Sequence, residues 1–179
     1  HNQEDARLDM YNSTIEQNTA GIVGGGMYNN SSSPVILNGD FLNNTALLHG
    51  GALFNTNGSS PVLTNCIIAG NEASNSAGRG GGIYNYASSP LLTNCTVYGN
   101  RAPAGGGGMF NTSASSPVVI NTILWRDTPD EILNDASVTQ VTFSDIQGGY
   151  SGEGNINEDP LFRDENGFDF HGGNFYRGS

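Results

Sequence analysis

Lysine is missing from this sequence, and positive charge is scarce. The six basic residues are all arginines, against 17 aspartates and glutamates, which gives a formal net charge of −11. A nucleic-acid-binding domain needs a basic patch to meet the phosphates, and an anionic membrane surface likewise attracts basic segments. The composition therefore disfavours both kinds of partner.

Long hydrophobic runs and cysteines are equally scarce. No apolar stretch approaches the roughly 20 residues of a transmembrane helix, so we expect no membrane insertion. The two cysteines, Cys66 and Cys95, are too few for the framework of a disulfide-rich domain. The chain starts at His1 without a signal peptide, and we expect it to be a processed or trimmed piece.

Charge of either sign is low along most of the chain. Charged residues make up 13% of the sequence, about half the usual share, and the acidic ones are concentrated between residues 127 and 169. We therefore expect a surface built from Asn, Ser, Thr and Gly over the first 120 residues, and an acidic C-terminal part.

What the sequence has instead is an internal repeat, which is best identified before any secondary structure. The unit Ser-Ser-Pro occurs four times and ends at Pro34, Pro61, Pro90 and Pro117. Each unit follows a glycine-rich stretch that ends in an aromatic residue and an asparagine. After each unit comes the pattern apolar-x-Asn-x-x-apolar-x-x-Asn, with an altered last copy. About five full or partial copies occupy residues 8–127.

The repeat predicts a stack of β-strand coils. Each copy of about 27 residues holds three short apolar segments between turn residues, a pattern that favours strands over helices. Three strands and three turns form one coil of a parallel β-helix, whose coils stack ~4.8 Å apart. One coil is too thin to bury its own apolar face, so only the stack is stable. We predict an all-β solenoid over residues 1–127, and an irregular segment, 128–179, that covers the last coil within the same domain.

Asparagines recur at two positions of the coil and predict two ladders. Equivalent positions lie above one another in the stack, so their amides can hydrogen-bond from coil to coil, and asparagine tolerates the left-handed backbone of a tight bend. The first predicted ladder is Asn38, Asn65, Asn94 and Asn121, and the second is Asn44, Asn71 and Asn100.

The second ladder is interrupted at Asp127, which takes the place of the next asparagine. A carboxylate has no hydrogen to donate to a neighbouring amide oxygen. We therefore expect regular coiling to end or change near Asp127.

Several segments resemble a known family. GGGMYNN, GGALFN, SSPVLTNCIIAGN and SSPLLTNCTVYGN resemble the right-handed parallel β-helix repeats of secreted and surface bacterial proteins. GGAL at 50–53 and FLNN at 41–44 are similar to the GGA(I/L) and FxxN motifs of polymorphic outer-membrane proteins, and residues 143–167 are similar to a segment that often closes such repeat domains.

The resemblance implies a right-handed coil of about five turns and an extracellular or cell-surface location. The family contains adhesins, structural repeats and polysaccharide-active enzymes, so fold alone does not select an activity.

The residues themselves favour a non-catalytic module. A hydrolase needs paired carboxylates, and a lyase needs a positioned base. Within residues 20–120 the ionisable groups of interest are Asp40, His49, Glu72, Arg79 and Arg101, and they include no clustered acid pair. We expect no catalytic residue and no cofactor, and we expect a structural or adhesive module that binds a glycan or a surface protein. The alternatives are a carbohydrate-active enzyme or a fragment of one, and a filament unit that associates end to end.

The candidate ligand-binding residues are the aromatic column Tyr28, Phe54, Tyr84 and Phe110. Successive strand residues face opposite sides. If the neighbouring aliphatic residues point inward, the rings therefore form an exposed stripe for sugar stacking. If the rings point inward they belong to the core, and cover by loops is a third arrangement.

Three weaker features complete the sequence-based set. Arg79 and Arg101 flank loops, lie near each other in the predicted stack and could contact an acidic sugar. Asp164, Asn166 and Asp169 have the alternate oxygen ligands of a Ca²⁺ loop, although they lack the length and final glutamate of an EF-hand. Cys66 and Cys95 lie one coil apart, and we expect two packed free thiols there.

Overall fold

The structure is a single stack of parallel strands. This computed structural model describes residues 8–162 and, as backbone only, the strands Asn2–Gln3, Phe168–His171 and Asn174–Arg177. Every regular element in these residues is a strand, and all strands up to Ile146 pair in parallel. The predicted all-β solenoid is therefore confirmed.

Three sheets form the sides of the solenoid. The first sheet has six strands, which are Asn2–Gln3, Met27–Asn30, Leu53–Thr56, Ile83–Tyr86, Met109–Thr112 and Ile132–Asp135. A short third sheet is made of Thr19–Ala20, Thr45–Ala46 and Glu72–Ala73.

The second sheet bends once and so supplies two sides. Its long strands, Met10–Glu16 and Val35–Leu42, run through the bend. In later coils each long strand is split into two short ones, which stack separately. The strands before the bend are Val62–Thr64, Leu91–Thr93, Val118–Ile120 and Gln140–Thr142, and those after it are Ile67–Ala69, Thr96–Tyr98, Ile123–Trp125 and Asp145–Ile146. The chain ends in the antiparallel strands Phe168–His171 and Asn174–Arg177.

The core is made of three columns of inward-facing residues. The apolar side chains of these columns point inward, and the copy of each in the next coil lies beside it, as Leu92 does beside Leu63 and Val119. These residues form one continuous cluster with almost no exposure. Stacking of like on like is therefore what stabilises the fold, because no single coil could bury these groups alone.

Bends between strands use residues that accept a left-handed backbone. The first-ladder asparagines all have positive φ, from 47° at Asn121 to 54° at Asn38 and Asn94. Gly50 does the same at a corner with φ of 66°. A Cβ on the next residue, Gly51, would collide with the backbone of Gly81 in the following coil. These positions explain why the repeat keeps its asparagines and paired glycines.

The coil does not end at Asp127, where the sequence placed the boundary of the irregular segment. Strands Ile132–Asp135, Gln140–Thr142 and Asp145–Ile146 extend the stack in register. The coil does become shorter there, because the step between stacked asparagines falls from 26 residues (Asn85 to Asn111) to 23 (Asn111 to Asn134). The boundary was misplaced because this shorter coil has lost the Ser-Ser-Pro unit that identified the others.

The last coil is covered by the segment that follows it. The backbone N–H of Phe143 donates to the carbonyl of Glu153 at 2.8 Å, and that of Ile156 donates to Ser144 at 2.9 Å. Asn155 adds side-chain bonds, accepting from Ser144 N at 3.0 Å and donating to the Val141 carbonyl at 2.9 Å. These bonds cover the open edge of the last two strands of the second sheet, Gln140–Thr142 and Asp145–Ile146, which removes a template for unwanted strand pairing there.

Candidate functional site

An exposed row of asparagines marks the outer side of the bend in the second sheet. The predicted residues Asn38, Asn65, Asn94 and Asn121 are solvent-exposed there, with Asn12 as an additional N-terminal member. Asn38 Nδ2 donates to Asn12 Oδ1 at 2.7 Å, Asn65 to Asn38 at 3.2 Å, and Asn121 to Asn94 at 2.7 Å. The row therefore presents ordered amides to solvent.

The N-terminal part of this row forms a small polar groove of about 260 Å³. We call it the asparagine groove, and its lining residues are Asn12, Ser13, Thr14, Asn38, Asp40 and Asn65. Thr14 Oγ1 lies 3.5 Å from Asp40 Oδ2 as a donor, and Tyr11, next to Asn12 in the strand, is 52% exposed. Amides, hydroxyls and a carboxylate form a polar set that can meet the hydroxyls of a sugar.

The second predicted ladder is buried and continuous. Asn71 Nδ2 donates to Asn100 Oδ1 at 2.9 Å, and the same oxygen accepts from the Asn71 backbone N–H at 2.9 Å. Asn44 repeats both bonds to Asn71, and Asn18 repeats them to Asn44. The prediction for Asn44, Asn71 and Asn100 is confirmed, and the ladder satisfies groups that would otherwise be buried without partners.

A third ladder was missed by the sequence analysis. It joins Asn29, Asn55, Asn85, Asn111 and Asn134 through Nδ2–Oδ1 bonds of 2.7–2.9 Å, and it ends where Asn134 donates to the Tyr150 hydroxyl at 2.9 Å. The signal was the asparagine that follows the aromatic residue in every repeat. It shares the inward face of the aliphatic column, so a buried amide there needed a partner from the next coil.

The aromatic column lies outside the core but is not a free stripe. Ring centroids are 5.5 Å apart for Tyr28 and Phe54, 5.0 Å for Phe54 and Tyr84, and 5.2 Å for Tyr84 and Phe110. Tyr84 is only 8% exposed and Phe110 is buried. The expectation of an exposed sugar-stacking stripe is wrong for these two rings, because their faces are occupied by one another and by residues from the loops.

The cover comes from residues that precede the glycine corners. The His49 ring stacks on Tyr84 with centroids 4.5 Å apart, and the Arg79 guanidinium lies 4.8 Å above the Phe110 ring. Burial, followed by the nearby Arg79 charge, lowers the pKa of His49. The loop-cover arrangement is therefore the one that the structure adopts.

The two candidate arginines have different partners in the structure. Arg79 is placed on the Phe110 ring, whereas the guanidinium of Arg101 pairs with the carboxylate of Glu72 in the neighbouring coil. Each arginine therefore has its own partner within the chain, and a contact of the two with an acidic sugar stays a prediction.

A pair of buried carboxyl groups at the end of the second ladder was not foreseen. Asp127 is 4% exposed and Glu131 is 8% exposed. Asp127 Oδ1 accepts from the Asn100 N–H at 2.7 Å and from Asn100 Nδ2 at 2.8 Å, while Glu131 Oε1 accepts from the Asp127 N–H at 3.2 Å. Burial and the adjacent Glu131 raise the pKa of Asp127 well above its usual range, and burial raises the pKa of Glu131.

This pair lies at the wall of the larger cleft. The cleft has a volume of about 590 Å³ and is bounded by residues 126–132 on one side and by residues 146–150 on the other. Asp130 and Arg126 are its exposed charged groups. The pair was not predictable from the sequence, because Glu131 folds back toward Asp127 within a turn and no repeat position identifies Glu131.

The fold agrees with what the chain matches among known families. Residues 2–124 match the family described as right handed beta helix region, which is more than half of the chain. The chain belongs to that family. Neither the curated proteins nor the solved structures gave a match. The right-handed β-helix resemblance seen in the sequence is thus confirmed, while the family by itself leaves the activity open.

The two cysteines of this β-helix lie in its core. Cys66 and Cys95 are free, buried thiols whose sulfur atoms lie 3.4 Å and 3.3 Å from the carbonyl oxygens of Thr64 and Thr93. The expected packed free thiols are confirmed.

Within the residues that the structure describes, no helix has the length and apolarity of a membrane span.

The side chains of the predicted Ca²⁺ loop lie outside the described residues. Asp164 and Asn166 lie beyond the described residues, and of Asp169 only the backbone strand is described. Among the described residues, no group of three or more His, Cys, Asp and Glu side chains is arranged to hold a metal.

Proposed function

We propose that this β-helix is a non-catalytic extracellular or cell-surface module that binds a neutral glycan in the asparagine groove. The observation that carries the proposal is the groove itself, where Asn12, Asn38, Asn65, Thr14 and Asp40 line one solvent-open depression. These groups are donors and acceptors of the kind that pair with sugar hydroxyls.

The arrangement of the groove suits a chain ligand. Parallel strands repeat at ~4.8 Å along the stack, and the groove takes residues from three consecutive coils, represented by Asn12, Asn38 and Asn65. The amides are already held by Asn–Asn bonds, so binding a sugar costs little side-chain entropy. Asp40 is the one charged residue in the lining, which argues against an acidic polysaccharide.

Binding to a glycan array, followed by calorimetry on the best ligand, tests the proposal. Asp40→Asn should weaken binding about tenfold or more, because hydrogen bonds to a charged group contribute about 1.5–3 kcal/mol. Tyr11→Ala should weaken it about two- to tenfold if the ring contacts the sugar.

A matched control is available in the same solenoid. Tyr86 is also exposed, at 45%, but lies in the first sheet, so Tyr86→Ala should bind like the wild type. Equal losses for Tyr11→Ala and Tyr86→Ala, or no array signal for the wild type, would contradict the proposal.

A carbohydrate-active enzyme is the second candidate. The observation that favours it is the Asp127–Glu131 pair beside the larger cleft, because glycoside hydrolysis uses two carboxyl groups, of which the general acid has a raised pKa. It ranks second because both side chains are almost fully buried and are hydrogen-bonded within the ladder. Release of reducing ends from polysaccharides by the wild type, and its loss in Glu131→Gln, would reverse the ranking.

A further inference from the structure

In the second ladder, every buried asparagine makes the same set of hydrogen bonds, and Asp127 at the end of the ladder cannot make this set as a carboxylate. At Asn44, Asn71 and Asn100, the Nδ2 group donates to a backbone carbonyl of an earlier coil, respectively at Ile15, Phe41 and Ile68, each at 2.9 Å. The same Nδ2 also donates to the next side-chain oxygen of the ladder. Each buried amide therefore donates one hydrogen bond toward the preceding coil and one toward the following coil.

Asp127 occupies the next position with the same geometry. Its Oδ1 accepts from Asn100 as every earlier Oδ1 accepts from the preceding asparagine. Its Oδ2 faces Gly108 as Asn100 Nδ2 faces Gly82 in the previous coil. Oδ2 therefore lies where an amide nitrogen would lie.

The groups that the ladder geometry places next to Asp127 Oδ2 are acceptors. Within the described residues, Oδ2 is buried without a hydrogen-bond partner. The equivalent backbone acceptor for this coil is the Val97 carbonyl, since Val97 pairs in register with Ile68. The Glu131 carboxylate is in the position of the next ladder oxygen, because it accepts the Asp127 N–H.

We propose that one hydrogen held between the Asp127 and Glu131 carboxyls replaces the missing amide hydrogen of the ladder, and that its loss at raised pH loosens the C-terminal coil. With the hydrogen on Oδ2, Asp127 completes the ladder as an asparagine would. Without it, two carboxylates face each other in a buried site, which is strongly unfavourable.

The other charged and titratable groups around the pair do not remove this conflict. Asp130 adds a further negative charge near Glu131. Arg126 lines the same cleft but is exposed and lies toward the Tyr98 ring. Tyr98 and Tyr150 border the region, and the raised pKa of Tyr98 keeps its hydroxyl neutral. The pKa directions of Asp127 and Glu131, both upward, agree with a shared hydrogen.

The sign of the effect follows from linkage. The folded pair holds a proton at pH values where the unfolded chain has released it, so folding is favoured at low pH and this contribution is lost as pH rises through the folded pKa. One such proton changes the folding equilibrium constant by up to about tenfold per pH unit.

The test compares the wild type with Asp127→Asn between about pH 5 and pH 9. Asparagine supplies its own amide hydrogens, so the variant should fold and lose this pH dependence. The ratio of the two folding constants should move in favour of the variant by up to about tenfold per pH unit. Trp125, the single tryptophan, lies two residues away, and its fluorescence should show an alkaline transition in the wild type that is absent in Asp127→Asn.

Two further measurements keep the outcome unambiguous. Asp135→Asn, which removes an exposed charge in the following strand, should retain the alkaline transition. The infrared spectrum of the wild type at neutral pH should contain the carbonyl stretch of a protonated carboxylic acid, and Asp127→Asn should lack it. Parallel pH profiles for wild type and Asp127→Asn, or no such band in the wild type, would overturn the proposal.

Discussion

At the scale of single residues, asparagine has two different tasks in this solenoid. Where its side chain faces solvent, as at Asn94, it sets a left-handed bend. Where it is buried, as at Asn71, it pairs with backbone groups and with its own copies in adjacent coils. The same residue type therefore has very different energetic weight at the two positions, because only the buried amide leaves unsatisfied partners when it is removed.

Replacement of Asn71 by alanine should destabilise the protein by about 3 kcal/mol or more, since it leaves several buried donors and acceptors without partners, each costing about 1–3 kcal/mol. The control is Asn94→Gly, which keeps the left-handed bend and loses only exposed bonds, and it should cost about 1 kcal/mol or less. Denaturant unfolding of both variants checks this, and equal losses would argue against a stabilising role of the buried ladder.

Titration of His49 should make the stability of the protein depend on pH. Burial and Arg79 lower its folded pKa, so the unfolded chain binds a proton first, and stability should fall as pH drops from about 6.5 toward the folded pKa. His49→Phe keeps a ring on Tyr84 and removes the titration. Melting temperatures from about pH 7 down to pH 5 should therefore fall more steeply for the wild type than for the variant, and parallel curves would contradict the prediction.

At the scale of elements, the first sheet carries structure on both of its faces. Its inward face holds the aliphatic core and the third ladder, and its outward face holds the stacked rings under His49 and Arg79. Ring stacking between coils adds to the strand pairing itself. The outward face is thus a second small packed layer.

Tyr84→Ala should cost about 3 kcal/mol, as expected for removing a buried aromatic side chain. Its ring is enclosed by Phe54, Phe110 and His49. Tyr86, two positions later in the same strand, points to solvent, and Tyr86→Ala should stay within about 0.5 kcal/mol of the wild type. Thermal unfolding of the pair distinguishes a packed layer from an incidental row of rings.

The sequence was informative where the chain repeats and silent where it departs from the repeat. Ser-Ser-Pro, the glycine corners and the asparagines defined the coil, because each has one backbone requirement that recurs. The aromatic cover was not predictable, since Val23, His49 and Arg79 hold equivalent bridge positions but share no chemistry. The Asp127–Glu131 pair was hidden for the same reason, because it exists only once.

At the scale of the whole molecule, stability is a sum over neighbouring coils. Residues 83–108 span one register step, since Ile83 pairs with Met109. A tandem duplication of this segment should therefore add one coil, lengthen the particle by ~4.8 Å and keep the folded state at least as stable. Solution scattering and denaturant unfolding measure both quantities.

The control for this design is an insertion of half a coil at the same site. It would place turn residues opposite strand residues, so it should destabilise the fold, because register is fixed by which face each side chain occupies. A full-coil duplication that unfolds as readily as the half-coil insertion would show that the coils are not interchangeable units.

The side-chain amides of each ladder all donate to one another in one direction along the solenoid axis. In both buried ladders every amide donates to the coil that follows, from Asn18 toward Asp127 and from Asn29 toward Tyr150. In the exposed row the donation runs the opposite way, as from Asn65 to Asn38 and from Asn38 to Asn12. The side-chain dipoles of the two buried ladders therefore oppose those of the exposed row along the axis, so each added coil contributes two buried amides that point one way and one exposed amide that points the other way.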